Sequence, residues 1–107
     1  MIIQTNIRLL SRQESKTNER HLVEETFRDL HGNTVRLSAR IGSEARYRTY
    51  DYVRAENFAG GRWEPLTMMF YDNHPDTIAD AMMWLLATVG AILDWPGLPL
   101  EAEEQET

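Results

Sequence analysis

The chain contains no cysteine, a single lysine and no basic residue beyond Arg62. Without cysteine there is no disulfide, zinc–thiolate centre or thiol nucleophile. The segment Ala81–Leu93 has only Thr88 as a polar residue, yet this run is too short to span a bilayer; that length fits a core helix. The start, Met-Ile-Ile-Gln-Thr-Asn, lacks the basic segment and apolar run of a signal peptide, so a cytoplasmic protein is expected. Catalytic and metal signatures are also missing. His21, His31 and His74 show no ligand spacing. Gly60-Gly61 lacks the Lys-Ser/Thr and the helix of a phosphate loop, and no serine sits in a nucleophile elbow. The expectation is a protein that is not an enzyme and uses no cofactor or metal.

What is present is divided by charge. The 107 residues sum to −6. Residues 1–62 hold all 11 basic residues and eight acids, a balance of +3; residues 63–107 hold nine acids and no base, a balance of −9. Ten of the 11 bases are arginine. A GC-rich genome yields that bias, and so does an interface that uses planar guanidinium forks.

The apolar pattern predicts an α+β fold: an antiparallel sheet of four to five strands, with one long C-terminal helix packed on one face. Residues 1–10 read as a strand through Ile3, Thr5, Ile7 and Leu9, and Ser11–Glu19 reads as a mobile polar loop. Arg20–Asp29 and Thr34–Ile41 form a hairpin around Gly32 and Asn33. In its second strand Val35, Leu37, Ala39 and Ile41 alternate with polar residues, so one side is buried and the other wet. Glu25 interrupts the apolar side of the first strand, which calls for a bulge or a place near an edge. A third strand spans Glu44–Glu56, the turn Phe58–Gly61 follows, and a fourth strand spans Arg62–Tyr71 with Leu66, Met68 and Phe70 on one face. Pro65 has no amide proton, so that strand lies at an edge or begins after it.

The helix is predicted over Asp72–Gly97, capped by Asn73 or His74, with Pro75 in its first turn and Pro96-Gly97 as its stop. It is apolar on nearly every side, more than one sheet face can cover. Met82, Met83, Trp84, Leu86 and Val89 are therefore candidates for self-association into a homodimer. Residues 1–10 and Leu98–Leu100 are the segments of the chain available to cover that side instead. Residues 1–100 read as one domain and 101–107 as an acidic disordered tail.

The candidate partner-binding residues lie on the third strand. Arg46, Arg48, Tyr50, Tyr52 and Arg54 share one parity, and hairpin pairing adds Arg36, Arg40 and Trp63. Arginine, tyrosine and tryptophan dominate binding hot spots because they bury large areas and keep a polar end. A solvated face uses the same residues, with tyrosines over arginine stems and Glu24 or Glu56 pairing across strands. Single-stranded nucleic acid is a second possible ligand, through base stacking and phosphate contacts. A third reading is a homodimer binding an apolar ligand beside the helix.

In size, acidity, missing cysteine and missing catalytic motifs the chain is similar in type to phage-encoded inhibitors of host defence, such as anti-CRISPR proteins. That likeness implies an inhibitor or adaptor that occludes a nucleic-acid-handling complex, with the −9 half as a charge mimic.

Overall fold

The structure is a computed structural model in which residues 7–43, 51–70 and 77–95 are described. Five strands, β1 (Arg8–Lys16), β2 (Arg20–Arg28), β3 (Thr34–Gly42), β4 (Tyr52–Ala59) and β5 (Arg62–Phe70), precede one helix, α1 (Ile78–Leu93). The strands form one antiparallel sheet in the order β1-β2-β3-β4-β5. The helix packs on one face, mainly over β3, β4 and β5. This is the α+β arrangement expected from strands followed by a helix.

Local chemistry sets each turn. Thr17 accepts from the amides of Glu19 and Arg20 at 3.2 and 3.0 Å, which closes the β1–β2 hairpin. Asp29 accepts from the amides of His31 and Asn33, and Gly32 supplies φ 86° for the β2–β3 turn. Gly60 and Gly61 sit at φ 62° and 81°, the two positive values that a two-residue hairpin of matching twist requires.

The polar stretch Ser11–Glu19 is not a loop. Most of it, through Lys16, is β1, and only residues 17–19 turn. All nine β1 residues are exposed, so neither side of the strand carries an apolar pattern. The expected strand over residues 1–10 is thereby displaced; residues 1–6 lie outside the described set. Glu25 needs no bulge in the β2–β3 pairing, which is regular. It faces the helix side, in the cleft beside the first turns of α1, and Arg12 of β1 pairs with it at 3.2 Å. β5 lies at a sheet edge, as Pro65 requires, and Leu66 is an extra residue between the pairs Glu56–Pro65 and Ala55–Thr67. This bulge separates Leu66, which packs against the core, from Met68, which is exposed; they do not share a face. β4 runs on to Ala59, so Phe58 belongs to a strand and only the glycines turn.

The core lies between the sheet and the helix. Val35, Leu37, Ala39 and Ile41 of β3 and Val53 and Ala55 of β4 meet Ala81, Met82, Leu85 and Val89 of α1. The helix cap is Thr77, whose side chain accepts from the Asp80 amide at 3.1 Å, and not Asn73 or His74. Residues 71–76 and 96–107, which include the expected cap, stop and acidic tail, lie outside the described residues.

The helix ends at Asp94, held at φ 57° with its amide bonded to the Gly90 carbonyl. Glycine adopts that conformation without strain, and a carboxylate there opposes the helix dipole. Asp94→Gly is expected to stabilise the protein by about 0.5–1 kcal/mol. A urea titration checks it: the midpoint should rise at unchanged slope.

Candidate functional site

The helix covers one face of the sheet and leaves the other without a packed element among the described residues. The register identifies what this outer face presents. Ser38 of β3 is opposite Arg54 of β4, Arg40 is opposite Tyr52, and Arg36 is opposite Glu56. Across the next ladder Phe58 is opposite Trp63, and Arg54 is opposite Met68. The face thus gathers Arg36, Arg40, Tyr52, Arg54 and Trp63. Arg46, Arg48 and Tyr50 lie outside the described residues.

Side-chain geometry makes these residues one layer. The Arg36 guanidinium lies 4.1 Å from the Trp63 ring centroid, and that of Arg54 lies 4.4 Å from the Tyr52 ring centroid. Arg36 also donates twice to Glu56, through Nε at 3.1 Å and an Nη at 2.9 Å. Phe58 meets Trp63 edge-on at 5.2 Å. Phe58 and Met68 are nevertheless exposed, so the β4–β5 end of the face is apolar. The rest is basic: among the described residues, by register, Arg8, Arg20, Arg28, Arg36, Arg40 and Arg54 share the face with only Glu24 and Glu56, an excess of four positive charges. At its centre Ser38 Oγ, Arg40 Nε and Arg54 Nε are buried without a hydrogen-bond partner among the described residues. Buried polar atoms ordinarily have partners, so these three are an uncommon feature of this layer.

The helix candidates separate by burial. Met82 and Val89 face the sheet and are buried, so neither is available to a second molecule. Trp84 and Leu86 are half-buried. Met83 is 62% exposed and is the apolar residue turned furthest from the sheet; Ile92 is exposed too, but it lies about half a turn round the helix from Met83. Of the nine acids beyond residue 62, only Glu64, Asp80 and Asp94 are described; the charge-mimic surface rests on the others.

A third feature is an open cleft of about 440 Å³ between the first turns of α1 and strands β1 and β2. Val23, Ile78 and Met82 form its apolar part, and Arg12, Glu14, His21 and Glu25 its charged rim. The rim groups are mutually paired: Arg12 bonds Glu14 at 2.8 Å and Glu25 at 3.2 Å, and His21 bonds Glu14 at 2.5 Å. His21 first, then Arg12, holds the Glu14 carboxyl below the usual carboxylate range. A general base needs a group poised near neutral pH, and Glu14 is shifted the wrong way. No group of three His, Asp or Glu among the described residues could hold a metal. No described helix is long and apolar enough to cross a membrane.

Phe58 and Met68 escaped the sequence reading because one falls beside two glycines and the other beyond a bulge. Arg12 and Glu14 escaped it too. Their signal was there: Arg12, Glu14 and Lys16 alternate with Ser11, Gln13 and Ser15, a period of two in charge and not in hydrophobicity.

In comparisons with family models, curated proteins and solved structures, the chain matches none.

Proposed function

We propose that this chain is a non-catalytic binding module, an inhibitor or adaptor, that occludes a partner protein through the helix-free face of its sheet. The observation that supports this reading is the mixed layer on β3–β5. Guanidinium groups stacked on Tyr52 and Trp63 stand beside exposed Phe58 and Met68. Stacking and the ion pair to Glu56 already fix these side chains, so little rotamer freedom is lost when a partner covers them. An apolar edge next to a basic field fits a protein surface with an apolar ridge flanked by acids.

One observation favours a second reading. Four excess positive charges on an aromatic-bearing sheet face also suit single-stranded nucleic acid. The two readings separate by salt. A phosphate backbone contact weakens steeply as salt rises, whereas a contact anchored on Trp63 and Phe58 does not.

The test is affinity capture from the native host, with wild type, Arg54→Ala, Trp63→Ala and Met83→Ala as baits, alongside gel retardation of a labelled oligonucleotide. Arg54→Ala and Trp63→Ala should each weaken partner binding by roughly 10–100-fold, the range of hot-spot residues. Met83→Ala, on the helix, should leave it unchanged. Salt-sensitive retardation of the oligonucleotide, lost in Arg54→Ala, would replace the first reading by the second. Binding that survives both sheet-face substitutions would reject both.

A further inference from the structure

We infer that β1 is the seam of a homodimer, in which two copies pair antiparallel through its free edge, centred on Gln13, to make one ten-stranded sheet. The inference rests on the β1 edge alone and is independent of what the outer face binds.

Among the described residues β1 is terminal in the sheet order and pairs only with β2. Its nine residues are all exposed, and the helix packs mainly over β3, β4 and β5 and less over β2. The outward row of amides and carbonyls on such a strand is a template for another strand. Proteins that avoid this pairing blunt the edge with charges, which on β1 are of mixed sign (Arg12, Glu14 and Lys16), or with a proline or a bulge. The far edge, β5, carries both: Pro65, and Leu66 as the extra residue. β1 has its irregularity at one end, between Leu9 and Ser11, and Ser11–Lys16 is regular and free of proline.

Charge selects the occupant and the register. Two copies related by a two-fold axis through Gln13 place Arg12 of each opposite Glu14 of the other, and Ser11 opposite Ser15. Arg12 and Glu14 both lie on the helix side of the sheet, where directly opposed residues of paired strands meet. Moving the axis one residue earlier sets Arg12 against itself; one residue later sets Glu14 against itself. On the outer face the seam holds only Ser11, Gln13 and Ser15, so no like charges oppose there. The axis is perpendicular to the sheet. Both helices fall on one side, and the two Arg/aromatic faces become continuous on the other.

The absence of cysteine makes the register directly measurable. In Gln13→Cys the two substituted residues face each other across the axis, with Cα atoms about 4.5–5.5 Å apart, inside disulfide range. In Ser11→Cys they are four residues apart along the strand, roughly 13 Å, too far to bond. After mild oxidation Gln13→Cys should run as a covalent dimer at twice 12.4 kDa, and Ser11→Cys should remain a monomer on the same non-reducing gel. Sedimentation equilibrium supplies the second arm. Arg12→Glu alone and Glu14→Arg alone should each weaken self-association by roughly tenfold or more. Mixing the two variants should restore it, because each reversed charge then faces its complement. Met83→Glu, on the exposed side of the helix, should leave the dimer intact. A wild-type monomer at high micromolar concentration would overturn the inference. So would equal cross-linking at both positions, or a dimer split by Met83→Glu and indifferent to Arg12 and Glu14.

Discussion

Asp29→Ala is expected to lower stability by roughly 3 kcal/mol, because it strands one buried and three part-buried donors at once. Asp29 is 4% exposed and accepts from Trp95 Nε1 at 2.9 Å, from the Asn33 side chain at 2.8 Å, and from the amides of Asn33 and His31 at 2.7 and 2.9 Å. One carboxylate therefore closes the β2–β3 turn and ties it to the residue after the helix. Turn amides can recover water when the carboxylate is lost. The Trp95 indole N–H cannot do so easily, because that side chain is buried and packs against Phe27. Asp29→Asn keeps one acceptor oxygen, so it should cost less, about 1–2 kcal/mol. A double-mutant cycle with Trp95→Phe isolates the indole bond.

The same group carries a pH signature. Burial pushes the Asp29 carboxyl up; the bonds from Trp95, Asn33 and His31 outweigh it and hold the group below the usual carboxylate range. The unfolded chain therefore binds the proton first as pH falls, and stability declines with it. The contribution is fully present above the unfolded value, about 4, and is lost as pH falls through the lower folded value. Chemical denaturation between pH 7 and pH 2 should show the difference between wild type and Asp29→Ala constant at neutral pH and shrinking in acid. A difference that stays flat through pH 2 would mean that the carboxylate is not what the turn and Trp95 depend on.

Half of this architecture was legible because burial writes a period into sequence, and half was not because exposure does not. β3 could be read from Val35, Leu37, Ala39 and Ile41, all of which are buried. β1 is wet on both faces, so its only trace was the alternation of charge among Arg12, Glu14 and Lys16. Pro65 announced an irregular edge strand, yet it could not say that Leu66 would be the extra residue, and that detail decides which side Trp63 and Met68 share. The helix posed the opposite difficulty. Apolar on most of its circumference, it gave no contrast by which to pick the arc facing the sheet, and so Met82 and Val89 looked as available as Met83. The Arg/Tyr face stood between these cases. Parity along β4 placed Tyr52 and Arg54 together, but the stacking of Arg36 on Trp63 depends on the ladder through Glu56, Phe58 and Trp63, which no single strand encodes.

Leu85→Ala is expected to cost about 3–4 kcal/mol, and it separates the fold from the docking surface. Leu85 is wholly buried at the centre of the helix–sheet contact, flanked by Ala81, Met82 and Val89. The facing sheet positions include Ala39 and Ala55, and alanines have no volume to move into the space left. The cavity therefore stays open, and its energy adds to the lost transfer term. A small domain has roughly 5–15 kcal/mol in total, so this loss is a large share. Met83→Ala, about half a turn round the helix from Leu85 and 62% exposed, should change stability by no more than about 0.5 kcal/mol. The pair also separates two ways of losing binding. Leu85→Ala should reduce partner capture only in proportion to the unfolded fraction, and a stabilising osmolyte should restore it. Arg54→Ala should lose capture with its unfolding midpoint nearly unchanged, and the osmolyte should not help. If instead the osmolyte rescues both, Arg54 acts through the sheet's stability and the outer face is not where the partner sits.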